Sequence, residues 1–183
     1  PEGLLDALAN NSSRIIIDKS SLSSQTAGRY CSLWRATGQP GMAALPTTPA
    51  VPTSATLGAM GFANQTDPVK SYLGWAFMNS SIASVVPEIH DRIAHNGGLV
   101  LNVTTPQTVT GFNLATLAPS AGRIGDANYS DLQWWLEVYA DGGATASTAT
   151  INVTYHDDTT ANLNTIAVGG TIRAGNLFAL TPL

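Results

Sequence analysis

The sequence has few charged residues, one cysteine and no long apolar run, and each scarcity excludes a class of protein. Asp, Glu, Lys and Arg make up 11% of the 183 residues, and no cluster of Lys or Arg occurs. Because nucleic-acid binding needs a basic surface, we expect no nucleic-acid partner. The lone Cys31 can form neither an internal disulfide nor a cysteine-based zinc cluster. No stretch reaches the roughly 18 apolar residues of a membrane helix, so we expect no membrane partner.

The residues that are abundant favour an all-β protein. Hydrophobic residues make up 44% of the chain, much of that fraction is Ala, and Thr, Ser, Asn and Gly fill most of the remainder. We divide the chain into an N-terminal arm over residues 1–28, an anchor motif with an extended strap over 29–68, and a β-sandwich domain over 69–183.

The strap is predicted from its prolines and glycines. Pro40, Pro46, Pro49 and Pro52 fall within residues 38–56, with Thr and Ala between them. Each proline fixes its own φ and pushes the preceding residue toward extended geometry. This tract is therefore expected to be extended, with few ladder hydrogen bonds, and to be ordered by the surface against which it lies.

Alternation of apolar and polar residues predicts the strands of the sandwich. They are expected at 72–78, 99–104, 131–140, 148–156, 163–168 and near 171–180. In the clearest pattern Ala149, Ile151 and Val153 face inward, and the strands from 131 to 168 are expected to form an antiparallel meander. The predicted fold is an antiparallel β-sandwich of jelly-roll type with an extended N-terminal arm.

The tryptophans are the candidate core and contact residues. Alternation through "LQWWLEVYA" predicts that Trp134 lies in the core, whereas Trp135 lies on the opposite face, where a subunit interface, a ligand surface and partial burial all remain open. Trp34 and Arg35 stand directly before the strap. They are either interface anchors or, for Trp34, a plug in its own subunit's core.

The stretch "HDRIAH" brings His90, Asp91 and His95 within six positions and raises the question of a metal or catalytic site. Further ligands would have to come from residues such as His156, Asp157 and Asp158. The preferred interpretation is structural: Asp91 and Arg92 form an ion pair or cap, and His95 binds a loop carbonyl. The sequence contains no nucleophile elbow or phosphate loop, so we expect no enzyme activity, cofactor or metal. Ca²⁺ binding at Asp157 and Asp158 is a further alternative to a simple exposed turn.

Three blocks in order carry a resemblance to a known family. They are "SLWRATGQPG" at 32–41, "HDRIAHNGGLVLNVTTPQTV" at 90–109 and "WWLEVYADGGATASTATINVTY" at 134–155. Together they resemble tailed-bacteriophage virion proteins described as structural or head-decoration (cement) proteins. The family pattern LYDRL-x-H-x-x-GL is matched at Asp91, Arg92, His95, Gly98 and Leu99, while His90 replaces a frequent Tyr.

The resemblance implies a capsid decoration or minor capsid protein on the outer surface of the phage head, made in the host cytoplasm. Its expected partners are the major capsid protein lattice and copies of itself, as a homotrimer. The candidate interface anchors are Trp34, Arg35, Pro40, Trp135 and Leu180. A glycan-binding module of a tail or host-surface adhesin is the alternative function, and a hydrolase built on His90, Asp91 and His95 ranks last.

Overall fold

The protein is all-β in character: among the described residues, only Gly3, Leu5, Asp6 and one four-residue segment are α-helical. The computed structural model describes residues 3, 5, 6, 14–61, 75–82, 85–119, 123–124, 132–155 and 157–182. The strands are β1 (Asp18–Lys19), β2 (Gly38–Gln39), β3 (Trp134–Glu137), β4 (Thr148–Ala149), β5 (Asn152–Thr154), β6 (Thr160–Asn162), β7 (Ile166–Ala167) and β8 (Leu177–Leu180). The helix α1 is Leu114–Leu117, a single turn capped at its N-terminus by the Asn113 side chain. All-β is confirmed, and the strands pair in twos.

Six of these strands belong to one long antiparallel ribbon. β3 pairs with β8, β4 with β7 and β5 with β6, so residues 134–154 run beside residues 160–180. Backbone hydrogen bonds continue the pairing between the named strands, for example from the Gly142 N–H to the Ile172 carbonyl. The ribbon turns at its tip, where the Asp157 carboxylate accepts hydrogen bonds from the Thr159 N–H and hydroxyl. Asp157 and Asp158 are exposed there, as the turn interpretation predicts.

The ladder contains two offsets that cancel. Glu137 pairs with Leu177 and Thr148 with Ala167, so the first strand holds one extra residue between these pairs. Between the Ala149–Ile166 and Asn152–Asn162 pairs the second strand holds one extra residue, as in a β-bulge. The pairing therefore returns to its original register near the tip.

One face of the ribbon forms the core. Val138, Ile166, Val168 and Ile172 are buried together, and five partly buried side chains pack against them: Leu136, Ala149, Ile151, Phe178 and Leu180. The predicted inward alternation of Ala149, Ile151 and Val153 is confirmed, since these residues are less exposed than the threonine and asparagine between them. Burial of this apolar face stabilises the ribbon, which as an isolated two-stranded hairpin would be marginal.

The ribbon curls until its own ends meet. Leu163 bridges to Pro182, and the Asn164 N–H donates to the Thr181 carbonyl at 3.0 Å. The Asn164 side chain returns a second contact, because its oxygen accepts the Thr181 N–H at 2.9 Å. The C-terminal end of the second strand is thereby held beside the part of the same strand that follows β6.

The predicted antiparallel pairing of 148–156 with 163–168 is confirmed at Thr148–Ala167 and Ala149–Ile166, whereas the place of 131–140 in the meander and the strand over 99–104 are wrong. β3 pairs with β8 and not with the strand that follows it, because residues 139–147 extend the ribbon where the meander needs a tight turn. Residues 99–104 form no strand, since the Val100 N–H and carbonyl are both engaged by the Gln107 side chain at 2.8 Å. Residues 75–78 of the predicted 72–78 strand are also irregular, and residues 72–74 lie outside the described residues.

The arm and the strap lie against the ribbon. β1 pairs with β2, and the backbone of Cys31 forms an isolated antiparallel β-bridge with that of Asn176, just before β8. Buried Asn176 donates to the Gln25 side chain at 2.8 Å, which fixes residues of the arm to the ribbon. The boundaries at 28/29 and 68/69 stay a prediction, and the second falls in residues 62–74, outside the described residues. Within the described part of the chain, no helix has the length and apolarity to cross a membrane.

Candidate interface anchor

Trp34 and Arg35 occupy a tight turn that faces the ribbon. The Ala36 N–H donates to the Leu33 carbonyl at 3.1 Å, and the Ser32 hydroxyl accepts the Trp34 N–H at 3.1 Å. Ala36, next in the chain, is fully buried. The Lys19 ammonium of β1 donates to the carbonyls of Leu33 and Trp34, so the arm closes over the turn. Turn, arm and ribbon are joined at this point.

The two side chains of the turn stack on cationic and aromatic partners. The Arg92 guanidinium lies 4.7 Å from the centre of the Trp34 ring, and the Arg35 guanidinium lies 5.2 Å from the centre of the Tyr139 ring. The His95 ring meets Trp34 edge-on at 6.1 Å. Cations over aromatic faces are attracted by the ring quadrupole, and more strongly where water is excluded. We call Trp34, Arg35, Arg92, His95, Glu137 and Tyr139 the anchor cluster.

A partly buried ion pair lies at the centre of the anchor cluster. Arg92 donates to Glu137 at 2.7 Å, and the Glu137 side chain is only 7% exposed. Three buried polar atoms of the cluster have no hydrogen-bond partner among the described residues, namely Trp34 Nε1, His95 Nδ1 and the second carboxylate oxygen of Glu137. Removing either partner of the pair would leave the other charge uncompensated in a region where water is largely excluded.

Burial shifts the titration of two members of the cluster. Burial, reinforced by the negative charge of Glu137, raises the pKa of Tyr139 to about 12. The pKa of His95 is lowered, first by burial and then by the positive charge of Arg92, with Glu137 acting in the opposite direction. Both groups are accordingly neutral at pH 7 in the folded chain.

The "HDRIAH" stretch separates its charged residues among distant partners. Asp91 receives two hydrogen bonds from Arg123, at 2.6 and 2.9 Å, whereas Arg92 pairs with Glu137. The predicted Asp91–Arg92 pair is therefore wrong. His90 contacts Glu88 at 2.9 Å. The predicted hydrogen bond from the His95 ring to a loop carbonyl is also not seen among the described residues. The backbone of His95, and not its ring, pairs with Ala50.

The side chains of that stretch are not brought together around one point. His90, Asp91 and His95 face three different partners, and within the described ranges no three His, Cys, Asp or Glu side chains could hold one ion. His156, the further ligand considered from the sequence, lies outside the described residues. The arrangement of the described residues is that of a structural joint between segments.

The strap is fastened across this joint. Ala50 forms a two-way backbone bridge with His95, at 2.9 and 3.0 Å. Arg123 donates to the Pro52 carbonyl at 2.7 Å while it holds Asp91. A Cβ on Gly97 would collide with the Pro46 carbonyl, so only glycine lets the strap approach this closely. Contacts within the same chain thus hold the strap at Pro46, Ala50 and Pro52.

The remaining candidate anchors lie apart from the cluster. Trp135 is half-buried and meets the rings of Tyr30 and His90 at 5.5 and 6.5 Å. Pro40 follows β2, and Leu180 lies at the end of β8 against the core. Trp134, expected in the core, is instead 41% exposed and meets Phe112 edge-on, because the apolar face ends with its pair Trp134–Leu180.

Sequence reasoning missed Glu137 and Tyr139 as partners of the anchor motif. The signal for them lies in the alternation, which places both on the face opposite the core. Comparisons with protein-family models, with curated proteins and with solved structures found no match. The resemblance to phage virion proteins thus stays a prediction.

Proposed function

We propose that this chain is a non-enzymatic structural protein of a bacteriophage virion, a capsid decoration or cement protein that binds the assembled head shell and stabilises it. The observation that carries the proposal is the distribution of its surface. The irregular segments carry many exposed apolar side chains, whereas Asp91 and Arg92 of the "HDRIAH" stretch are used to hold the chain together. Such a surface is suited to lattice contact.

The arm offers the most direct contact with a neighbouring protein. Ile15, Ile16 and Ile17 are exposed and precede β1. Antiparallel pairing of β1 with β2 ends at Asp18–Gln39, and the next residue of the partner strand, Pro40, has no N–H to donate. Among the described residues, none forms a backbone hydrogen bond with residues 14–17. Unpaired backbone groups flanked by apolar side chains are the requirement for adding a strand to another protein's sheet.

Stabilisation of the shell follows from mass action. A protein that binds only the assembled lattice shifts the equilibrium toward that lattice by its binding free energy. Many symmetry-related sites add up, so a modest contact through each arm gives large avidity. In this role the protein acts as a trimer on the outer surface of the head, with the major capsid protein as its partner.

The finer fold belongs to the same proposal. The curled ribbon, with one apolar face turned inward, has the arrangement from which a jelly-roll sandwich is wound. We infer that the β-sandwich predicted for residues 69–183 forms around this ribbon.

The test is cosedimentation of the purified chain with shells that lack it. Full-length protein is compared with an Ile16→Asp variant and with a matched control, Leu57→Asp, which also places a charge at an exposed apolar position. Saturable binding at a fixed ratio, lost in Ile16→Asp and kept in Leu57→Asp, is the expected result. Ile16→Asp is a more specific test than removal of all residues before Pro68, because that truncation would also delete the turn that carries Trp34 and Arg35. Absence of binding by the full-length chain would contradict the proposal.

A glycan-binding function has one observation in its favour, the exposed ring of Trp134, which meets the half-buried Phe112 ring edge-on with centres 5.5 Å apart. Exposed aromatic rings stack on sugar faces, and Trp134 lies at the start of β3, where its ring is partly accessible. Binding on a glycan array that disappears in both Trp134→Ala and Trp135→Ala would favour this alternative. No binding above background would remove it.

A further inference from the structure

Residues 75–82 and 85–89 form an apolar segment that the rest of the described chain does not cover. Phe77 is 81% exposed, Val86 84% and Trp75 73%, and Ile82 and Ile89 are exposed as well. The described part of the segment contains no helix or strand. Among the described residues, no backbone hydrogen bond joins it to another part of the chain. So large a group of exposed apolar residues marks an interaction surface.

Charge is almost absent from this surface. Glu88 is the one acidic residue in the segment and contacts His90 at 2.9 Å, and no lysine or arginine occurs there. Interfaces between copies of a permanent oligomer are the most apolar class, and their centres are depleted of charge. A surface with these properties is poorly matched to a charged partner.

The total surface of the chain is large enough for such interfaces. Its accessible surface is 13344 Å², against about 8,400 Å² for a compact monomer of 19.0 kDa. The difference, roughly 5,000 Å², belongs to the arm and the strap as well as to the apolar segment, and it is more than a subunit buries in one interface of the standard size. A single interface of the standard size would cover only a fraction of that excess.

We propose that the apolar segment is covered by a second copy of this chain. The choice of a second copy over the shell protein rests on the proposed function, since a protein that docks on a finished shell first exists free in solution. There an uncovered segment of this kind would promote aggregation. Association of copies through residues 75–82 and 85–89 leaves the arm, on a different part of the chain, available for the shell.

The experiment measures molar mass by light scattering after size exclusion, without shells. The wild-type chain is expected at a multiple of 19.0 kDa. Phe77→Asp and Val86→Asp are expected at the monomer mass, with association weakened at least tenfold, while Leu57→Asp keeps the wild-type mass. Because both side chains are more than 80% exposed in the subunit, circular dichroism is expected to show an unchanged fold. A monomeric wild-type chain, or oligomers unaffected by both substitutions, would overturn the inference.

A second measurement needs no disruptive substitution. The emission of Trp75 is obtained as the difference between the wild-type chain and Trp75→Phe over a dilution series. Its maximum is expected to shift to longer wavelength on dilution, in step with the fall in molar mass. A maximum that stays at the exposed position at every concentration would contradict burial by a second copy. If the wild-type chain is monomeric and only shells shift Trp75, the occupant is the shell protein and the inference fails. If the wild-type chain forms the expected oligomers but does not bind shells, the cement function is refuted and the inference about the apolar segment stands.

Discussion

Arg92 and Glu137, 45 residues apart in the sequence, form the ion pair that joins the "HDRIAH" stretch to the ribbon at 2.7 Å. Arg92 also lies over the Trp34 ring, so one guanidinium connects the segment after the strap, the turn before it and β3. Loss of this guanidinium would therefore loosen three segments at once.

Removing Arg92 is expected to destabilise the chain strongly. Arg92→Ala leaves the buried Glu137 carboxylate without its cation, and we expect a loss of about 3 kcal/mol in the free energy of unfolding, measured by urea denaturation. The matched control is Arg173→Ala, which breaks the exposed pair with Asp141 and is expected to have a much smaller effect. Equal losses in the two variants would show that burial of Glu137 is not decisive.

Replacement of Trp34 separates a role in its own subunit from a role at an interface. Trp34→Ala is expected to lower the free energy of unfolding by about 3 kcal/mol, because the ring packs on Arg92 and His95. Trp34→Phe is expected to lose less, since Trp34 Nε1 has no hydrogen-bond partner among the described residues. Urea denaturation of both variants measures the difference. Unchanged unfolding in Trp34→Ala, together with weaker shell binding, would identify Trp34 as an interface anchor.

Stability is expected to fall as the pH drops below about 6.5, the ordinary pKa of histidine. The pKa of His95 is lower in the folded chain, so below this pH the unfolded chain takes up a proton that the folded chain does not. The free energy of unfolding therefore decreases until the pH reaches the pKa of the folded state. Urea denaturation between pH 7.5 and 5.5 measures this slope. It is expected to be reduced in His95→Gln, and an identical slope in that variant would count against the assignment.

The close approach of the strap at Gly97 is testable with alanine. A Cβ at this position collides with the Pro46 carbonyl, so Gly97→Ala forces strap and loop apart, with an expected loss of about 1–3 kcal/mol. Gly61→Ala is the control, because the space that its new methyl group would occupy has no other heavy atom of the described residues within 4 Å. Thermal unfolding of both variants gives the comparison. A Gly97→Ala midpoint as high as that of Gly61→Ala would mean that the strap is not held there.

Local pattern is sufficient to predict some features and not others. The alternation at Ala149, Ile151 and Val153 depends on the side-chain period of a strand, so its inward face could be predicted. The partner of β3 could not, because its pairing with β8 joins residues far apart in the chain. For the same reason "HDRIAH" does not reveal the partners of its Asp and Arg, which are Arg123 and Glu137.

Residues 99–104 show how one side chain can override a strand pattern. Their alternation is typical of a strand, but the Gln107 side chain takes both backbone groups of Val100. A side chain that binds the backbone in this way competes with ladder formation, and a pattern of apolar and polar residues carries no sign of it.

The paired offsets of the ribbon determine where the chain tolerates added sequence. One residue inserted on a single strand between the offsets would turn the following side chains over and exchange Ile166 and Val168 for their exposed neighbours. An insertion between Asp157 and Asp158 lies beyond the last ladder pair, Thr154–Thr160, and changes only the turn that is closed by the Tyr155 N–H and the Thr159 carbonyl. The tip of the ribbon is therefore the natural position at which to display a foreign peptide on this protein.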